Sequence, residues 1–392
     1  MATRTFGRRL RARWELAADG TFLNHGSYGA CPKPVLAEQA RIRAAMESQP
    51  DVFFRESVAP GDTPTLLREA AARLAAFVNV PAGALAFVEN ATTGVQSALQ
   101  CVPLGAGDEL LITDHTYNAV RLMVEARCAQ TGARPNVVHI GSPDSAEAIV
   151  EAFEAAVTPQ VRLAIVDHIT SPTALVMPLD RIVPALRRHG AARVIVDGAH
   201  AVGQLPLDVT AVGADWYVSN AHKWLYAPRG CAFLHAAPSV ALQTHPLVVS
   251  HHIERGFPES FDWLGTRDCS AWLAVPAAID FFSDLDPAAL RAHNRALLEE
   301  ADRAMSAIGA HPVAPLALNA WMRSFHLPQE RPATREDAVE LVRALWRRDR
   351  IQSMAVAFSG RLLVRVSAQA YVEADDVRAL ADALAHNGWP GR

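Results

Sequence analysis

Lysine is almost absent from this 392-residue chain: of its 37 lysine and arginine residues, all but Lys33 and Lys223 are arginine. Arginine can replace lysine wherever a positive charge or a surface stem suffices. Its guanidinium stays protonated, however, and cannot form an imine with an aldehyde, whereas a lysine amine can. Lys223 therefore stands out as an amine kept for covalent chemistry. It lies in Ser219-Asn220-Ala221-His222-Lys223-Trp224, directly after the apolar run 216–218, which reads as a short buried strand with an acid, Asp215, at its mouth. Lys33, between Pro32 and Pro34, reads instead as a solvated charge in a turn.

A second strand-like run, 194–196, ends in Asp197-Gly198-Ala199-His200, and the spacing to Lys223 leaves room for one helical crossover and one strand. Acid and amine can then face one pocket. An aldehyde cofactor built on a pyridine ring needs this pair, an amine for the imine and a carboxylate to keep the ring nitrogen protonated. Asp-Gly alone reads as a turn. Asn90-Ala91-Thr92-Thr93-Gly94 supplies small residues, hydroxyls and free amides at a helix start, which suits a phosphate or an ordinary N-cap. Asn220 and His222 could add donors to the same anion, and His222 taken alone reads equally as a structural histidine.

These residues must be positioned by an α/β scaffold. Apolar runs at 85–88, 110–112, 137–140, 163–166, 194–196, 216–218 and 231–234 alternate with segments of helical periodicity. Such continuous apolar runs imply a mainly parallel seven-stranded sheet covered on both faces. Polar residues follow most of them, where open parallel sheets bind ligands. After Trp272 the pattern changes to helices over 288–307 and 335–348, a strand over 361–367 and a last helix over 374–385, predicting a smaller C-terminal α+β domain. The expected division is an N-terminal helical segment (1–20), a large domain (21–270) and a small domain (271–392).

At 50 % hydrophobic and 20 % charged residues the chain can bury a large core. A net charge of −4 argues against a nucleic-acid or anionic-membrane surface. The arginine-rich stretch 4–13 lacks a following apolar run, so it reads as an amphipathic helix on the body or a targeting segment rather than a secretory signal. No apolar stretch is long enough to span a bilayer. The five cysteines are scattered without metal-type spacing, which predicts neither disulfides nor zinc and fits a reducing cytoplasm. His251 and His252 lack a third ligand and are expected at the pocket entrance or a subunit seam.

The chain resembles class V aminotransferase-fold enzymes that use pyridoxal 5′-phosphate, within the group similar to isopenicillin N epimerase. The resemblance rests on Phe22-Leu23-Asn24-His25-Gly26-Ser27-Tyr28-Gly29, Asp167-His168-Ile169-Thr170-Ser171-Pro172-Thr173-Ala174, Asp197-Gly198-Ala199-His200, His222-Lys223-Trp224 and Trp263-Leu264-Gly265-Thr266-Arg267-Asp268, in that order. It implies the type I fold of these enzymes and a homodimer with shared active sites. It also implies that Lys223 forms the Schiff base, Asp197 pairs with the pyridine nitrogen and Tyr117 stacks on the ring. Thr92, Thr93, Asn220 and His222 match phosphate ligands, with Thr266 supplied by the partner subunit, while His200 and Ser171 match positions near the phenolic oxygen. Arg365 matches the receiver of the substrate α-carboxylate. Outside the resemblance it would read as a surface arginine. Arg55 is a candidate for a second anionic group or for an ion pair with Glu56 or another acid.

A small-molecule amino-acid substrate is expected. The chemistry expected first is that of an amino-acid epimerase, which needs a second proton carrier opposite Lys223, such as Tyr28, His25 or a water held by one of them. A C–S β-lyase acting on a cysteine conjugate, a class V aminotransferase and a silent cofactor-binding module are the alternatives. No cysteine follows Cys269, which disfavours persulfide transfer. No glycine fingerprint follows a strand, which disfavours a dinucleotide enzyme.

Overall fold

The molecule is described by a computed structural model over residues 6–58, 65–188, 190 and 193–391. Seven buried segments form one sheet: β1 Leu85–Val88, β2 Glu109–Thr113, β3 Arg134–Val138, β4 Val161–Asp167, β5 Arg193–Asp197, β6 Trp216–Ser219 and β7 Ala232–Ala236. Their spatial order is β1-β7-β6-β5-β4-β2-β3. β7 pairs antiparallel with both neighbours and the other pairs are parallel, so β7 alone runs against the rest. The sheet separates two apolar layers, with Leu85 and Phe87 contributing to one and Ala86 and Val88 to the other. Side chains alternate across the pleat, and both faces are covered, so the strands read as unbroken apolar runs.

β3 departs from the sequence expectation. The run 137–140 predicts a strand there, yet pairing with β2 begins at Arg134 and ends at Val138. β3 is the sheet edge, largely exposed, and carries Pro135, which an edge tolerates because one side of its ladder is unpaired. The N-terminal expectation also changes. Residues 1–5 of that segment lie outside the described residues, and the helix reduces to one turn, Arg8–Arg11. What anchors this segment is Trp14, buried against Tyr226, Phe281 and Tyr371, with its indole N–H donating to the Ala30 carbonyl at 3.1 Å.

Four further strands, β8 His311–Pro312, β9 Met322–His326, β10 Met354–Phe358 and β11 Arg361–Ser367, make an antiparallel sheet ordered β10-β11-β9-β8. Helices Pro287–Ala307, Arg335–Asp349 and Ala374–Asn387 accompany it. Thr21–Phe22, assigned from sequence to the large unit, pairs in parallel with Ile351–Gln352, and the Ser367 N–H donates to the Leu23 carbonyl at 2.9 Å. The short turn His25–Tyr28 is thereby held between the second sheet and the segment carrying Lys223. Among the described residues no helix is long and apolar enough to cross a membrane, and all five cysteines are buried and free.

Gly29 ends that turn at φ 66° and ψ 159°, a region open essentially to glycine. A Cβ there would lie 2.0 Å from the carbonyl oxygen of His222. Gly29→Ala is expected to destabilise the protein by about 3 kcal/mol through strain and overpacking. A lowered denaturation midpoint with an unchanged m-value would register it, and an unmoved midpoint would contradict the close approach.

Candidate active site

The carboxyl ends of β1, β2, β4, β5 and β6 converge on a cavity of about 150 Å³. Each strand delivers part of the wall: Ala91 and Thr92 after β1, Tyr117 after β2, Asp167 and Ser171 from β4, Asp197 and His200 from β5, and Asn220, His222 and Lys223 from β6. The loop after β6 is tied down by side chains rather than by regular structure. Asn220 Oδ1 accepts from the Ala91 N–H at 2.8 Å, and His222 Nδ1 lies 2.8 Å from the Cys231 carbonyl. A carbonyl can only accept, so Nδ1 carries the proton in His222. Burial holds that ring's pKa down to about 4.

Lys223 is half-buried, with its side chain on the cavity wall. Burial, with Arg365 adding to it and Asp197 opposing it, lowers its amine to about 7. Its Nζ is 3.2 Å from His200 Nε2. Asp197 pairs in register with Asp167 on β4, and both are buried. Burial raises Asp197 despite the Ala199 N–H and Lys223, while burial and the Asp197 charge raise Asp167 well above the carboxylate range. Two adjacent acids in low dielectric retain a proton between them. In the sequence Asp167 stands out only within a segment that carries the resemblance, and the apolar run 163–166 ending in Asp167-His168 is the signal for its place at a strand end.

Arg365 lies on β11, fully buried. Nη1 donates to the Ser171 carbonyl at 2.6 Å, and Nη2 reaches Asn24 Oδ1 at 3.3 Å and Ser27 Oγ at 3.2 Å. Its Nε has no partner, and none of these contacts is with a carboxylate. Burial lowers it to about 10, still cationic at neutral pH. A buried cation without an acid partner is costly, and Arg365 stands behind the cavity wall rather than among the residues that line it.

Several sequence expectations are relocated. His25 is not in the cavity: it is fully buried behind Lys223, with Nε2 2.9 Å from the Lys223 carbonyl and Nδ1 2.7 Å from the Tyr371 hydroxyl. With both nitrogens engaged it fixes the lysine main chain and cannot reach substrate. Tyr28 is 67 % exposed and outside the cavity wall. Arg55 is exposed and pairs with Asp51 at 2.8 Å, one helical turn away, rather than with Glu56. Thr93 turns both its N–H and hydroxyl to Asn90 Oδ1, so Thr92 and not Thr93 lines the wall. Thr266 is exposed and lines no part of this cavity. Asn24 acts on Arg365 through its side-chain oxygen. Among the described residues no group of three or more His, Cys, Asp or Glu could hold a metal ion.

The residues present fit a pyridine aldehyde phosphate. An amine of low basicity shares the cavity with a buried acid, and the start of helix Ala91–Gln100 places Thr92 on the same wall beside Asn220 and His222.

Comparison with known proteins agrees with this arrangement. The sequence profile of the family described as Aminotransferase class-V matches residues 52–341. The chain is 33 % identical to a putative L-cysteine desulfhydrase of Oryza sativa subsp. japonica, over 96 % of this chain and 85 % of the rice protein. It is 36 % identical to the isopenicillin N epimerase of Amycolatopsis lactamdurans, over 93 % of this chain and 94 % of that one. In fold it is similar to an apo cysteine desulfurase from Thermococcus onnurineus NA1, with TM-score 0.79 at 15 % identity over 99 % of both chains. It is also similar to the cystine C-S lyase C-DES in complex with cysteine persulfide, with TM-score 0.78 at 22 % identity over 94 % of this chain and 98 % of that one. The chain belongs to the class V aminotransferase family and is a pyridoxal-phosphate-dependent enzyme.

Proposed function

We propose that this enzyme is a C–S β-lyase, which removes the Cα proton of a cysteine-type amino acid and expels sulfur from Cβ. The observation that carries the proposal is the placement of proton carriers. Elimination needs one base at Cα, and Lys223 supplies it. Epimerisation needs a second carrier on the opposite side, and the two expected from sequence, His25 and Tyr28, stand outside the cavity. The order of preference drawn from sequence is thereby reversed.

In this reading Lys223 would hold the cofactor through its aldehyde carbon, Asp197 would pair with the pyridine nitrogen and Tyr117 would stack on the ring. Bound there, the cofactor supplies a protonated pyridine that accepts the electron pair released at Cα. Thr92, Asn220 and His222 receive the phosphate. The bare Nε2 of His222 becomes a donor on taking a proton, a change that a neighbouring dianion favours. His200 and Ser171 approach the phenolic oxygen. Thr266 comes from the partner subunit of a homodimer, in keeping with its exposure here.

Arg365 grips the substrate carboxylate as a two-pronged donor and so fixes which Cα bond is broken. Lys223 Nζ, freed when the substrate amine takes its place on the cofactor, would take the Cα proton, and a proton would leave with the sulfur as the Cβ–S bond breaks. For L-cysteine the balance is substrate plus water giving pyruvate, ammonia and hydrogen sulfide, with no net oxidation. A larger chamber of about 720 Å³ adjoins the cavity, shares Tyr117 and Ser171 with it and is walled by Met354–Phe358. It leaves room for a substituent on the sulfur. The 36 % identity to the Amycolatopsis epimerase favours epimerisation as the second reading, with its proton donor then supplied across the subunit interface.

Incubating the holoprotein with L-cysteine and S-alkyl cysteines in deuterium oxide separates the two. Pyruvate, ammonia and thiol in equal amounts are expected. Inverted, Cα-deuterated amino acid without pyruvate would refute the lyase. Borohydride reduction is expected to tag the Lys223 peptide, and Lys223→Arg to abolish the tag despite its retained charge. Arg365→Ala is expected to weaken amino-acid binding about 100-fold, the scale of losing a buried charge-assisted contact. Spectral titration would show this with the cofactor band itself retained, and unchanged substrate dependence would assign the carboxylate to another cation.

A further inference from the structure

Trp224 directly follows Lys223, but its side chain turns into the core, fully buried between the rings of His25 and Trp321 at centroid distances of 4.9 and 5.9 Å. Its indole N–H points at His200 Nδ1, 3.3 Å away. The other nitrogen of that imidazole, Nε2, is the one 3.2 Å from Lys223 Nζ. An indole nitrogen can donate and cannot accept. Nδ1 of His200 must therefore be the bare nitrogen, and in a neutral imidazole the proton must sit on Nε2. That N–H faces the lysine. An ammonium there would set donor against donor, whereas an amine offers its lone pair.

We propose that Trp224 is a positioning residue that locks His200 in its Nε2–H tautomer and thereby keeps Lys223 as an uncharged amine, the form able to add to an aldehyde. The surroundings fit. Burial keeps His200 neutral, with Lys223, Arg365 and His222 all acting in the same direction. Around the amine, Arg365 from β11 disfavours the charge, Asp197 from β5 favours it, and His222 and His25 are both held neutral by burial. Asp197 is thus the group that draws Lys223 toward ammonium, and the His200 N–H opposes it at hydrogen-bond range. His200 presents the same donor to the cavity whatever occupies it. Sequence reading passes over Trp224, because a tryptophan beside a reactive lysine looks like packing and its tautomeric consequence exists only in three dimensions.

The functional part of this inference rests on Lys223 capturing the cofactor. The tautomer itself does not, so the two can fail separately. In the full-length chain freed of cofactor, long-range proton–nitrogen NMR correlations, assigned by comparison with His200→Gln, are expected to show Nδ1 of His200 as a bare acceptor and Nε2 as an N–H. A proton on Nδ1 would overturn the proposal, and this measurement needs no substitution at Trp224. Capture of pyridoxal 5′-phosphate by the same protein, followed by absorbance, is expected to rise with pH through about 7. In Trp224→Phe the midpoint is expected to move up by about half to one pH unit, the size of one net hydrogen bond, so capture slows below the midpoint and is unchanged well above it. In a His200→Gln background, Trp224→Phe should add no further shift. An unmoved midpoint in folded Trp224→Phe, or the same shift without His200, would show that Trp224 acts through packing alone.

Discussion

Taking the Lys223 amine out of water is the constraint to which the rest of the site answers. A buried ammonium is expensive, so the group moves toward its neutral form, and its surroundings decide how far. Here Asp197 restrains the shift while Arg365 enlarges it, and the balance falls near neutrality. A guanidinium could not occupy this position, because no neighbour moves its proton off within the accessible pH range. The scarcity of lysine elsewhere in the chain makes the exception at Lys223 chemically informative rather than compositional.

The same constraint organises the chain around the lysine. Its side chain is met by His200 and its main-chain carbonyl by His25, whose other nitrogen meets Tyr371. Tyr226, three residues on, sits at a positive φ of 66° that a tyrosine tolerates only when packing over-determines it. Trp14, His25, Phe281 and Phe282 surround its ring, and its hydroxyl donates to Gln369. Gln369 and Tyr371 follow β11, so the strand that carries Arg365 also braces the segment that carries the Lys223 amine. The turn His25–Tyr28 joins the two. Through Asn24 and Ser27 it touches Arg365, and through His25 it touches Lys223.

The parts of this arrangement legible in the sequence are those where residue type alone forces the physics. Strands buried on both faces must be apolar throughout, so β1, β2, β4, β5, β6 and β7 were visible within a residue or two of their bounds. β3 was misplaced because an edge strand need not be apolar and its register is set by β2, not by its own pattern. Lys223 and Asp197 could be singled out in the sequence because few residue types form imines or stabilise a pyridinium, and the fold brings both to one cavity. His25 was assigned to the pocket because a histidine beside a reactive motif looks functional, and nothing in a linear chain says which way its ring points. Arg55 found Asp51 because one helical turn, not adjacency, brings side chains together. Asp167 gained significance only from the register that sets it beside Asp197.

What the family shares and what distinguishes its members therefore lie in different places. The amine, the acid and the start of helix Ala91–Gln100 are fixed by the carboxyl ends of the large sheet, whose parallel strands cannot shift singly without disturbing buried neighbours. The adjoining chamber is different. Its wall is the edge strand β10, half-exposed along its length and paired on one side to β11. Substitutions there cost little core packing. The relatives of this chain include proteins named for epimerisation and for cysteine desulfhydration. Under the proposed function, the choice between inversion and loss of sulfur falls to that chamber, where packing constrains substitution least, while the strand ends that carry the lysine and the acid are held by the core.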